Sequence, residues 1–173
     1  MKILLLGSSI IKRWTNITLN LENEYIINKG IDGLPVSSLS SNYNKILKKI
    51  KNPDIIIFYC GGYDILHNLD SKKNIYKNII DFIENINNIY DKKVNIIILS
   101  ILKNKKIEKI DKIKEVNYVN NKLKNKVKDE KNIKYININF LLKNINDNFK
   151  EDMIHLTEIG YEKINNKIDF YYN

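Results

Sequence analysis

Short apolar runs alternate with stretches of helical spacing along the whole chain, and this alternation limits the fold more than any other feature. Runs of strand length occur at residues 3–6, 25–27, 55–59, 94–99 and 134–138. Most are continuous. A strand covered on one face alternates apolar and polar side chains, whereas a strand covered on both faces is apolar throughout. Between the runs, apolar residues recur every three or four positions, as on one side of a helix. One such pattern covers 10–21. A second covers 36–50, through Leu39, Tyr43, Ile46, Leu47 and Ile50. A third covers 74–90, through Ile75, Ile79, Phe82, Ile83 and Ile86. The lysine-rich stretch 103–131 carries Ile107, Ile110, Ile113, Val116, Val119, Leu123 and Val127 and reads as one amphipathic helix. A last helix is expected from Thr157 to about Tyr171. Strand and helix in alternation predict an α/β protein, a three-layer α/β/α sandwich on about five parallel strands.

A chain of 173 residues, 43% hydrophobic, fits one compact domain over 1–173. No apolar run approaches the roughly 20 residues that span a bilayer. Met1 to Leu6 could begin a signal peptide, but Gly7, Ser8 and Ser9 interrupt it and Lys12 and Arg13 follow. The segment reads as a buried first strand and the protein as cytoplasmic. The single cysteine, Cys60, cannot form an internal disulfide and reads as a small buried hydrophobe. The net charge of +9 comes from 29 Lys+Arg against 20 Asp+Glu. The lysines are spread through a chain rich in Asn and Ile, without clustered arginines or base-stacking aromatics. They read as a solvated surface, and no nucleic-acid partner is expected.

In a parallel sheet, ligands bind beyond the carboxyl ends of the strands. Gly7-Ser8-Ser9 follows the first strand, Asn28-Lys29-Gly30-Ile31-Asp32-Gly33 the second, and Cys60-Gly61-Gly62-Tyr63-Asp64 the third. Asp152-Met153-Ile154-His155 precedes the last helix. Singly, each has a structural reading: a serine caps a helix, glycines make turns, an aspartate opens a helix. Together they suggest nucleophilic chemistry. A serine hydroxyl attacks only when a base takes its proton, and the base needs a partner to fix its tautomer. The chain has two histidines, His67 and His155, each with an aspartate three residues earlier, Asp64 and Asp152. Spacing alone leaves both pairs open. No zinc spacing is present, so neither a metal nor a cofactor is expected.

The motifs resemble those of the SGNH/GDSL hydrolases, a superfamily of esterases, lipases and acyl-sugar deacetylases with a flavodoxin-like α/β/α fold. Gly7-Ser8-Ser9-Ile10-Ile11-Lys12-Arg13-Trp14 looks like the first block of that family. Ser8 stands at its usual aspartate, as in some members of the branch related to platelet-activating-factor acetylhydrolase. Asn28-Lys29-Gly30 resembles the second block, Tyr59 to Ile65 the third, G-x-N-D, and Asp152 to Tyr161 the fifth, D-x-x-H-L-x-x-x-G. The resemblance implies Ser9 as nucleophile, His155 as base and Asp152 as its partner, with Gly30 lending an oxyanion donor. Tyr63 stands where the family has the oxyanion-hole asparagine; losing one such donor typically costs about 10²–10³ in rate. The implied function is hydrolysis of small acyl esters on a sugar, lipid or small alcohol. The alternative is a non-catalytic binding module of the same fold. Substrate choice is expected to lie in the loops 31–41, 66–71 and 144–151.

Overall fold

The computed structural model describes residues 1–17, 19, 24–143 and 145–172. Five strands, β1 (Lys2–Gly7), β2 (Tyr25–Asn28), β3 (Ile55–Tyr59), β4 (Asn95–Leu99) and β5 (Ile133–Ile136), form one parallel sheet in the order β2-β1-β3-β4-β5. In its register Leu4 faces Ile27 on one side and Ile56 on the other.

The strands are continuous in sequence because both faces of the sheet are covered, yet alternate side chains still point opposite ways. Leu4, Leu6, Ile56, Phe58, Ile96 and Ile98 share one core with α2 (Leu39–Lys49), α4 (Lys72–Ile89) and α6 (Ile113–Val127). Ile3, Leu5, Ile55, Ile57, Ile97 and Leu99 share the other with α1 (Ser9–Lys12) and α8 (Glu158–Tyr172). Two cores divided by one sheet make the three-layer α/β/α sandwich. Each fully buried leucine of β1 contributes about 1.5–3 kcal/mol by leaving water. No helix among the described residues is long and apolar enough to cross a membrane.

The strand order reverses direction at β1, whose neighbours are β2 and β3. Such a switch point opens a crevice beyond the strand ends. The loops leaving β1, β2 and β3 converge there, and α3 (Gly62–His67) begins directly after β3.

The helix expected over 10–21 stops at Lys12. Asn28 Nδ2 donates to the carbonyl oxygens of Ile11 (2.7 Å) and Trp14 (3.2 Å), acceptors that a continuing helix would need. Trp14 turns into the core at 1% exposure. The far end of the expected helix, at Thr18, Asn20 and Leu21, lies outside the described residues. The single helix expected over 103–131 is two, α5 (Lys105–Lys109) and α6, with Asp111 at φ 53° between them. On an unbroken helix, at about 100° per residue, Ile107 and Val116 would face opposite ways. The break lets both reach 0% exposure and leaves Ile110 outside at 41%. The fifth strand, expected to reach Ile138, ends at Ile136, and the Ile138 N–H turns instead to Ser100 Oγ at 3.0 Å. Two short helices, α3 and α7 (Ile145–Asn148), were not anticipated; the expected loop 144–151 begins at Asn144, outside the described residues.

Candidate active site

Ser9 opens α1, directly beyond β1. Gly7 has φ +142°, and a Cβ there would lie 1.8 Å from the Tyr59 carbonyl oxygen, so only glycine lets the chain turn this close to β3. The Ser8 N–H then donates to that same oxygen at 3.0 Å. The buried Tyr43 hydroxyl accepts the Gly7 N–H at 3.0 Å and lies 2.9 Å from the carbonyl oxygens of Gly7 and Lys29. It thereby ties the exits of β1 and β2 together.

His155 sits in the turn before α8. Asp152 Oδ1 accepts the N–H groups of Ile154 and His155, both at 2.9 Å, while Oδ2 lies 2.5 Å from His155 Nδ1. The three-residue spacing therefore reflects a side-chain-capped turn rather than a turn of helix. Lys150 N–H to His155 O (2.8 Å) and Thr157 N–H to Asn148 O (3.0 Å) brace the loop. Burial works to raise the Asp152 carboxyl, but the His155 ring and the two backbone N–H groups outweigh it and hold it at about 2. An ionised carboxylate only accepts, so the imidazole proton belongs on Nδ1 and Nε2 keeps its lone pair. That Nε2 lies 3.0 Å from Ser9 Oγ.

The two ends of the chain are locked together beneath these groups. The Tyr161 hydroxyl donates to the Ile10 carbonyl oxygen at 2.8 Å, and Trp14 Nε1 donates to Asn165 Oδ1 at 3.1 Å. Ser9, His155 and Asp152 thus form one continuous chain of contacts. The other His–Asp pair does not. Asp64, 1% exposed, points inward and accepts the Val36 N–H, and burial raises its carboxyl. His67 lies at the rim with its ring centroid 4.4 Å from that of Tyr63.

Ser9 and His155 line a cleft of about 200 Å³. Tyr63 lines it too, 36% exposed, its ring packed between His67 and Gly33. Gly30, expected as an oxyanion donor, does not line the cleft, and its N–H is spent on Asn28 Oδ1 at 2.9 Å. Its bare α-carbon serves a different end, since a Cβ there would meet the Lys12 backbone nitrogen at 2.1 Å. Two glycines line the cleft, Gly62 and Gly33; the one in this loop, Gly33, has φ +64°, and its N–H has no partner among the described residues. In the sequence Gly33 reads as a turn residue. Its signal, a second glycine three residues after Gly30, could not be told from the first. Asp32 holds this loop on α1 through Lys12 (2.9 Å) and Arg13 (3.5 Å), and the Lys12 hydrogen bond keeps its carboxyl below the usual range against the pull of burial. Among the described residues no group of three or more His, Cys, Asp or Glu could hold a metal ion.

A serine, an imidazole and a carboxylate therefore stand in line at the switch-point crevice of an α/β/α sandwich. The chain belongs to the GDSL-like lipase/acylhydrolase family, whose model matches residues 6–168. No curated protein matches the sequence. Among solved structures, the chain is similar to a member of the lipolytic protein G-D-S-L family from Veillonella parvula, with 23% identity and a TM-score of 0.76 over 96% of this chain and 95% of that one. It is also similar to the lipase Lip_vut3 from a goat rumen metagenome, with 20% identity and a TM-score of 0.80 over 97% and 95%. A family 3 carbohydrate esterase from Clostridium thermocellum shares 19% identity, with a TM-score of 0.73 over 99% and 94%. At these identities the likeness is one of fold.

Proposed function

We propose that the protein is a serine esterase that hydrolyses small acyl esters through an acyl-enzyme on Ser9. The observation that carries this reading is the continuous chain from Ser9 Oγ through His155 Nε2, at 3.0 Å, to Asp152. Ser9 Oγ attacks the ester carbonyl carbon while its proton passes to His155 Nε2. Asp152 stabilises the imidazolium that forms. The tetrahedral intermediate collapses as His155 gives the proton to the departing alcohol oxygen. Water then attacks the acyl-enzyme, its proton passing through His155 back to Ser9 Oγ.

The negative oxygen of the intermediate needs donors set in advance. The Ser9 N–H, at the first position of its helix, has no carbonyl within the helix to bond. The Gly33 N–H is also unspent. These two are the oxyanion donors, Gly33 standing in the place expected of Gly30. The acyl group is short: the cleft of about 200 Å³ is smaller than most ligand pockets, at roughly 300–1,000 Å³. Acetyl or another short chain on a sugar, lipid or small alcohol fits this reading, as does the name of the carbohydrate esterase of like fold.

One observation favours the second reading, a module that binds esters without cleaving them. Tyr63 leans on His67 and Gly33, with no amide in its place to meet the oxyanion. Hydrolysis of 4-nitrophenyl esters from acetate to octanoate, beside Ser9→Ala, separates the two. Turnover that falls with chain length and vanishes in Ser9→Ala supports the esterase. Binding without turnover supports the module.

A further inference from the structure

The cleft also holds two buried polar groups that the hydrolytic steps leave idle. Asn104 is 5% exposed and Tyr59 3%, and both line the cleft with Ser9 and His155. Asn104 caps α5, its Oδ1 accepting the Ile107 N–H at 3.0 Å. A backbone N–H only donates, so this bond fixes which end of the amide is oxygen. The Nδ2 amine is left over. It donates to nothing among the described residues and is not sealed inside the core, and Asn104 is part of the cleft lining.

Tyr59 shows the same pattern, bonded at Leu102, two residues before Asn104. Its hydroxyl accepts the Leu102 N–H at 3.4 Å, and its own proton has no acceptor among the described residues. Burial pushes the phenol above its ordinary range, so it remains a donor. Gly62 stands in front of it: a Cβ at that position would lie 2.9 Å from Tyr59 Oη. Buried donors without acceptors are costly, and a site lined by them rejects a ligand that cannot satisfy them.

We infer that Asn104 and Tyr59 form a polar subsite, reached past the bare backbone of Gly62, that holds a second oxygen of the substrate, an ether, hydroxyl or keto oxygen a few atoms from the ester carbonyl. The inference rests on the esterase reading only in taking this cleft as the substrate's place. It makes the protein selective for oxygenated small esters over hydrocarbon ones of the same shape. The second oxygen belongs to either the acyl or the alcohol part.

Binding to the full-length Ser9→Ala protein, ¹⁵N-labelled, tests this without turnover. Methyl methoxyacetate against methyl butyrate probes the acyl side, and 2-methoxyethyl acetate against butyl acetate the alcohol side. Within each pair only an oxygen replaces a methylene. In one pair the oxygenated ester is expected to bind about three- to tenfold tighter and to shift the Asn104 side-chain amide signals. Asn104→Asp keeps the helix cap and removes the donor, and Tyr59→Phe removes the hydroxyl. Either substitution, added to Ser9→Ala, should bring that ratio close to one. Equal affinities within both pairs, or a preference that survives both substitutions, overturns the subsite. Turnover is read separately on the unsubstituted chain. A clear oxygen preference without hydrolysis counts against the esterase alone, and hydrolysis without the preference counts against the subsite alone.

Discussion

Trp14 and Tyr161 stack with ring centroids 5.6 Å apart and planes 21° from parallel, joining the segment that carries Ser9 to the helix that follows His155. The pair sits in the core beneath the cleft, at 1% and 5% exposure. With the Tyr161–Ile10 and Trp14–Asn165 hydrogen bonds it ties together the two segments whose side chains, 146 residues apart in sequence, meet at 3.0 Å. Trp14→Ala should cost about 3–5 kcal/mol in urea unfolding. Tyr161→Phe keeps the stack and loses the hydrogen bond to Ile10, costing about 1 kcal/mol. Because that bond holds the backbone next to Ser9, kcat should fall in Tyr161→Phe by more than KM changes.

His155→Ala should lower kcat for a short ester by about 10⁶ and Asp152→Asn by about 10⁴. The substitutions should not add when combined, because the residues act as one unit. Steady-state kinetics on the two single variants and the double variant checks this. Losses that multiply would point to separate roles.

Asp152 also links stability to pH. Its carboxyl is held at about 2, below the ordinary aspartate value of 3.8. A carboxyl depressed on folding stabilises the protein above its unfolded pKa, and that contribution disappears as pH falls through the folded value. Wild type should therefore exceed Asp152→Asn in stability at pH 6, and the two should converge towards pH 2. The side chain is 43% exposed, so after solvent screening the difference at pH 6 is about 1 kcal/mol or less. Urea melts at the two pH values give the comparison. A gap that stays constant or widens in acid contradicts it.

The strand runs revealed the sheet because parallel strands buried on both faces are apolar throughout, a signal strong enough to survive without neighbours. Ser9, Asp152 and His155 came from a resemblance of short local blocks, and the fold brings these three side chains within contact of one another. What could not be read depended on contacts distant in sequence. The end of α1 is set by Asn28 bonding the Ile11 and Trp14 carbonyls across the β1–β2 crossover. Gly30 and Gly33 are two glycines in one loop, and only their packing, against Lys12 and Tyr63 respectively, tells them apart. Asn104 was hidden among the many asparagines of a lysine-rich stretch, its orientation visible only through the Ile107 N–H.

The two glycines should respond differently to alanine. At Gly33 the new methyl meets only the Tyr63 ring at 3.6 Å, so the cost is that of a positive φ, about 1–3 kcal/mol, with kcat lowered as the N–H moves. At Gly30 the methyl would meet backbone at 2.1 Å, which forces α1 away from β2. Thermal melts should place Gly30→Ala well below Gly33→Ala, while Gly33→Ala should lose more turnover per kcal/mol of stability lost. The opposite order would return the donor role to Gly30.

Tyr63→Asn should restore a side-chain donor and raise kcat by up to about 10², with a smaller effect on KM. An unchanged or lower kcat would mean that the backbone donors already suffice and that Tyr63 serves another purpose at the rim.

The most direct test is covalent: the native protein is treated with a fluorophosphonate, digested, and the modified peptide mapped by mass spectrometry. One phosphonyl group per chain is expected, on Ser9, abolished in Ser9→Ala and strongly slowed in His155→Ala. Labelling of another residue, or labelling at full rate without His155, would contradict this.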